Sequence, residues 1–466
     1  MTNPDSGETS PGALDNHTIQ LKMRNLIFVM LALVCLGLQA QSPEVLTLDA
    51  CISTALERNI EVQMAKNNAQ IARSNKVRAM MSFMPNLQAQ WNYNLLFGTF
   101  WDNVAARQVT QQRSSNPNVS SSVGLFQGMS RINDIKRSTY AEQAATQGIE
   151  STKLNAKTNV LSAFLATALD KENIKISEER IALLEQQLER EVKRESVGVG
   201  NMETVYNFRS QVANERLTLT NLRNQYRSDL LRLVQLLRGD VGKEYVIEDV
   251  AVSEEQLSVG MASFQEVLSE SFAYAPAVKS AEAARMASIH EYKSSRANVL
   301  PSVNLYGELG SRYSSQGAAN PNNDLIPEKA PYFDQMNWNQ YEFISLSVNV
   351  PIFSRYQNSN VIQNAKLNML NAELAEEQAR QQFTNAVQQV YLDLVASQEN
   401  YRTAVENLEA LEQSFDFVKK RYETGNTDFY TYMESLNNKN RAELQLANAR
   451  LSIVFRKKIL DLYKGE

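Results

Sequence analysis

The chain has 466 residues, 43% hydrophobic and 21% charged, with 47 Lys+Arg against 52 Asp+Glu and a net charge of −5. Opposite charges are interspersed, which leaves no basic face to gather nucleic acid. Cys35, Cys51, His17 and His290 are the only residues of their types, too few for a zinc centre, a haem site or a nucleophilic triad, so neither an enzyme nor a cofactor or metal is expected.

In chain order, residues 1–40 read as an upstream extension and a signal peptide. Lys22 and Arg24 precede an apolar run over 26–38 that ends at Gln39, Ala40 and Gln41, the pattern of an export signal. The run is too short for a comfortable membrane span. Met23 is the more natural start, and Val34 is too bulky to precede a lipidated Cys35.

A first repeat occupies 41–260. It opens with a helix over 47–84, where Leu48, Cys51, Ile52, Ala55 and Leu56 recur at helical spacing. Cys51 reads there as a small buried hydrophobe. Pro85 ends the helix, because proline disfavours the helical conformation of the residue before it. The period then becomes two. Leu87, Ala89, Trp91, Tyr93 and Leu95 alternate with amides, and Val119, Val123 and Leu125 alternate with Ser120, Ser122 and Gly124. This predicts a β-hairpin over 86–126 with one apolar face. Segments of about ten residues suit an outer-membrane strand; a water-soluble antiparallel sheet with one dry face is the alternative. The polar stretch 98–118 reads as an external loop.

A long helix is predicted over 129–195, which holds no proline and only Gly148 as glycine. Sixty-seven helical residues would extend about 100 Å. Gly198 and Gly200 break the pattern, and a second helix follows over 201–237, its Val205, Phe208, Val212 and Leu219 in coiled-coil rhythm. The helices over 47–84 and 201–237 together about match the long one, as if they formed its single partner. Segment 238–260, with a short strand at 245–247, is left for an equatorial belt at mid-height.

The second repeat, 261–466, writes the same plan again. One ungapped shift lays 261–310 on 45–94 and puts Pro301 on Pro85; another lays 353–463 on 126–236 and puts Gly425 on Gly198 and Leu460 on Leu233. It predicts a helix, a β-hairpin over 302–353, a long helix over 356–422 and a last helix over 428–464. His290 falls in its first helix and reads as a surface residue. The fold class is therefore α+β: four transmembrane strands and long antiparallel coiled-coil helices per protomer. Four strands cannot close a barrel, and an open edge in lipid costs several kcal/mol per unpaired backbone group. The protomer must therefore oligomerise, three copies giving about twelve strands and two about eight.

These residues resemble the TolC-like outer-membrane efflux protein family. The segment from Leu48 to Asn59 is similar to its first-helix signature, Pro85 and Pro301 to its helix-to-strand junctions, and Arg421 to Gly425 with Phe429 to its helix-hairpin tip. The resemblance implies a homotrimer in the outer membrane of a Gram-negative bacterium, with a twelve-stranded barrel on a periplasmic helical tunnel. It also implies docking at the tip onto a periplasmic adaptor and an inner-membrane pump or ABC exporter. The family's gate pattern would fall on Tyr422, Thr427, Thr431 and Glu434, so Tyr422 and an acid at Glu434 match while an Arg and an Asp are missing. A ring of Glu434 would favour cations; the plainer reading is a solvated helix charge. Asp428 reads as a helix cap. With no Gly-x4-Gly-Lys motif, the expected function is a passive exit duct energised by partners, and the alternative is a trimeric coiled-coil stalk or adhesin.

Overall fold

A computed structural model describes residues 44–102, 107–240, 242–250, 252, 253, 257, 260, 262–315 and 331–465. The expected signal peptide, with Met23 and Cys35, lies outside the described residues.

The first half begins with β1 (Glu44–Leu46), α1 (Leu48–Arg58) and α2 (Ile60–Met81), then β2 (Asn86–Asp102), β3 (Arg107–Gln127), α3 (Ser130–Ser196), α4 (Met202–Leu236) and β4 (Tyr245–Ile247). The second half holds α5 (Phe264–Tyr274), α6 (Pro276–Arg296), β5 (Ser302–Gly310), β6 (Tyr313–Ser314), α7 (Tyr332–Trp338), β7 (Tyr341–Asn349), α8 (Gln357–Glu423) and α9 (Phe429–Lys464).

The helix expected over 47–84 is two helices. Asn59 leaves helical geometry (φ −61°, ψ 128°), and its side chain accepts from Val62 N at 3.1 Å to cap α2. An Asn oxygen offers the backbone this alternative to a continuing helix. The second half breaks at the equivalent place, Ala275, with Pro276 at the start of α6, a position where proline's missing N–H costs nothing.

The long helices set the height of the molecule. α3 and α8 each have 67 residues, about 100 Å at the helical rise. Near the sheet, α2 and α6 flank α3, and α8 packs on α6; farther away, α4 and α9 flank α3, and α8 packs on α9. So α2 and α4 follow one another along α3, as their lengths suggest. The two pairs are stapled by Lys76–Glu142 at 2.7 Å near the sheet and by Arg216–Glu185 at 2.6 Å and Arg223–Glu178 at 2.7 Å far from it.

The largest apolar core lies where these helices change partners. It joins Cys51 and Ala55 of α1, Val160, Leu161 and Phe164 of α3, Leu233 and Val234 of α4, Ile247 of β4 and Phe455 of α9. β1 pairs in parallel with β4, and Lys171 Nζ of α3 donates to Ile247 O at 2.8 Å, which ties this small belt to the long helix. Cys51 is fully buried there, and burial pushes its thiol up to about 12, so it is an inert hydrophobe.

His290 corrects the sequence reading, which placed it on the surface. α6 packs on both α3 and α8, so two of its flanks are covered. His290 is buried, stacks on Tyr140 at 5.6 Å, and its Nδ1 lies 3.1 Å from Asn133 Oδ1. Burial first, then the charges of Lys293 and Lys136, hold its pKa below the usual value.

Candidate functional site: sheet faces, open edges and helical tip

The sheet runs in the order β2-β3-β5-β7, with β6 beside β3. All of these pairings are antiparallel. Residues directly opposed in such a ladder share a face, so the register assigns the two surfaces. Leu87 and Ala89 oppose Ser121 and Val119; Val119 and Val123 oppose Leu309 and Leu305; Val303 and Leu305 oppose Val348 and Leu346. This face is mostly apolar and open, with Leu87 78%, Ile344 80%, Leu346 62% and Val348 63% exposed, though Glu342, opposite Leu309, also falls on it. The other face carries Gln88 and Gln90 against Ser120 and Asn118, and Asn304 against Ser347. On it, the Glu308 carboxylate accepts from Asn118 Nδ2 at 2.8 Å, Tyr306 OH at 2.5 Å and Tyr341 OH at 2.6 Å. That one side chain binds β3, β5 and β7 together.

Among the described residues, two edges of this sheet, on β2 and β7, have no strand beside them. The helices joined to those two strands also expose apolar residues. α2, which feeds β2, exposes Met64, Ile71, Val77 and Met80; α8, which follows β7, exposes Leu367, Leu370 and Leu374. Among the described residues no helix is long and apolar enough to cross a membrane.

Pro85 and Pro301 sit between the last helical residue and the first strand residue of each hairpin. The return junctions are tight left-handed turns: Met129 at φ 72° precedes α3, and Arg355 and Tyr356 at φ 48° and 69° precede α8. At Gly128 (φ +57°) a Cβ would meet Leu300 Cβ at 2.9 Å and Ala297 O at 3.0 Å. The hairpins themselves depart from the sequence reading. The polar stretch 98–118, expected as a loop, is mostly strand, since β2 runs to Asp102 and β3 starts at Arg107. A ladder is held by backbone N–H and C=O groups and needs no apolar side chains. In the second hairpin β7 has only nine residues and stops at Asn349, short of the expected 353.

At the far end, Gly198 (φ 76°) and Gly425 (φ 75°) turn α3 into α4 and α8 into α9. Gly425 N donates to Tyr422 O at 3.0 Å and Asn426 N to Arg421 O at 2.8 Å, the bond pair that closes a helix C-terminus. Asp428 caps α9 by accepting from Thr431 N at 2.9 Å. Between the two turns lies a dry core of Leu184, Phe208, Val212, Phe415, Tyr422, Tyr432 and Leu436. Phe208 meets Phe429 at 4.7 Å, and Tyr422 stacks on Tyr432 at 4.8 Å.

Tyr422 is therefore a buried side chain that joins both helix hairpins, while Glu434 is exposed on α9. Burial, and then the charge of Glu191 to which it is hydrogen-bonded, push the Tyr422 hydroxyl far up. Beside it, Arg190 Nη1 donates to Glu423 Oε1 at 2.6 Å, an ion pair from α3 to α8. Arg190 holds the Glu423 carboxyl below the usual range. The sequence reading found Tyr422 but missed Arg190, Glu191 and Glu423. Their pairing crosses 233 residues, and a solvated helix charge carries no periodic mark of its partner.

A family profile described as outer membrane efflux protein matches residues 51–239 and 267–463. Among solved structures, CusC is similar at 16% identity and TM-score 0.76, over 90% of this chain and 91% of that one; its description concerns folding and transmembrane channel formation. VceC of Vibrio cholerae, an outer membrane protein, is similar at 13% identity and TM-score 0.73, over 90% of this chain and 96% of that one. The MtrE outer membrane channel of Neisseria gonorrhoeae, in its open state, gives 17% identity and TM-score 0.70, over 90% and 88%. No curated protein sequence matches significantly.

Proposed function

The chain belongs to the outer membrane efflux protein family, and on that footing we propose that three copies join their sheets into one twelve-stranded barrel, the passive exit duct of a tripartite efflux or type I secretion system. The observation that carries this reading is a sheet with one mostly apolar face, one polar face and, among the described residues, two unpaired edges. The apolar face suits lipid, and the edges cannot stay bare there, since each unpaired backbone group costs several kcal/mol.

β2 of one copy meeting β7 of the next is a head-to-tail contact, which closes only by rotation into a ring. Two copies would give about eight strands, whose interior side chains fill; a larger ring leaves a lumen. The exposed stripes on α2 and α8 meet along the same seam. The lumen is then lined by the amides and hydroxyls of the polar face, which admit water and discriminate weakly.

Energy comes from partners. The turn at Gly198 is flanked by exposed Val197 and Val199, a small apolar knob for a periplasmic adaptor beneath an inner-membrane pump or ABC exporter. At that end the Arg190–Glu423 pair and the Tyr422–Glu191 bond hold the hairpins together and serve as the closing contacts, and the exposed Glu434 biases passage towards cations. That solved relatives are described as channels, one of them in an open state, supports conduction over a purely mechanical stalk.

Planar-bilayer recording of the purified protein tests the reading. Stepwise ion currents are expected, larger in Arg190→Ala and less cation-selective in Glu434→Ala. Membrane-inserted protein that passes no current, with Arg190→Ala equally silent, would favour the stalk.

A further inference from the structure

The two hairpins differ in height, and the difference leaves a surface that no other described residues of the chain cover. β7 has nine residues and β2 has seventeen. If their helical ends are level when β2 of one copy meets β7 of the next, β7 covers β2 only as far as Asn94, so the arm from Leu95 to Asp102 rises past it with a free edge. This arm differs from the strand below. Leu95, Leu96 and Phe97 are consecutive, so they point to both faces, and all three are exposed with Trp101. A strand that is apolar on both faces is one that is covered on both, and a long apolar edge left bare invites pairing.

α7 immediately precedes β7, at that strand's Tyr341 end, and it packs against β6. Ser314 N of β6, on the side away from β3, donates to Gln335 Oε1 at 3.1 Å. Ser311 Oγ donates to Met336 O at 2.5 Å, and Ser115 Oγ and Tyr332 OH lie 2.9 Å apart, with Trp91 Nε1 donating to Ser115 Oγ at 2.8 Å. Tyr332 also packs on Tyr313, ring centres 4.9 Å apart. Gln335 is 1% exposed and Phe333 is 80% exposed. α7 is thus fixed to its own sheet through polar anchors and presents a bare aromatic ring.

We propose that α7 of one copy seats against the upper arm of β2 in the next, with Phe333 set beside Leu95 and Phe97, a second intersubunit seam above the bilayer. The inference rests on the trimer reading and deepens it. The occupant is a second copy because this arm continues the β2 edge that the ring joins below, and α7 adjoins the Tyr341 end of β7. The seam pairs aromatic with aromatic and gives the mouth of the barrel a wall where β7 has ended.

Paired cysteines test it. Phe97→Cys with Phe333→Cys, and separately Leu96→Cys with Phe333→Cys, are purified in detergent, sized, treated with a short thiol cross-linker and run on denaturing gels. Covalent dimers and trimers from at least one pair, with single-cysteine variants running as monomers, are expected. Protein that sizes as a trimer yet cross-links in neither pair overturns the seam and leaves the duct intact. A fluorophore on Phe333→Cys that is quenched by brominated lipid would also overturn it, in favour of a lipid anchor. Protein that never sizes above one copy defeats the trimer reading itself.

Discussion

The sheet and the helical tip lie at opposite ends of the long helices and solve opposite problems. At the sheet, large apolar side chains are exposed and, among the described residues, two strand edges are bare, the unfinished wall of the proposed barrel. At the tip, Phe208, Tyr422 and Tyr432 are buried within one chain, and both helix hairpins contribute to the same core. The proposed assembly thus rests on the sheet, and the proposed closure on the tip. The contrast teaches that the two functions can be broken separately.

The largest effect is expected at the tip core. Phe208→Ala empties a fully buried ring site and should cost about 3–5 kcal/mol, read as rapid proteolysis at the Gly198 and Gly425 turns while the sized oligomer persists. Leu346→Arg puts a charge on the apolar face and should cost about 2–4 kcal/mol per copy, with loss of oligomer from outer-membrane fractions. Its neighbour on the other face, Ser347→Arg, should assemble normally and shift the reversal potential towards anions. If both arginines assemble equally well, the face assignment fails.

Smaller changes sharpen the contrast. Tyr422→Phe removes the hydroxyl bonded to Glu191, about 1.5 kcal/mol for a bond to a charged group, and should raise conductance without altering assembly. Glu423→Gln should do the same more weakly, because a half-exposed ion pair contributes about 1 kcal/mol or less after solvent screening. It also predicts a pH dependence. The Glu423 pKa is depressed in the folded protein, so its pairing is fully present above the ordinary carboxylate value and is lost as pH falls through the lowered one. Conductance should therefore rise at acid pH in the wild type, and the rise should shrink in Glu423→Gln.

Much of this was legible because period carries burial. Alternation at Leu87–Leu95 and Ile344–Val348 gave the strand faces, and prolines 85 and 301 and glycines 198 and 425 marked the junctions and turns. What escaped was decided by partners distant in sequence. The polar arm of β3 shows no apolar rhythm yet pairs along its length. α6 is covered on two flanks, which buries His290 against a one-sided pattern. The break at Asn59 depends on one side-chain cap, and the Arg190–Glu423 pair on the meeting of two separate repeats. Local chemistry fixes the elements; only their juxtaposition reveals the contacts proposed to close the tip.

The central claim is that one chain cannot seal its own sheet. Analytical ultracentrifugation of detergent-extracted protein, with the bound detergent matched or counted, tests it most directly. A particle of three chains carrying a detergent belt is the expected result; a single chain, or a body that binds no detergent, would contradict the account.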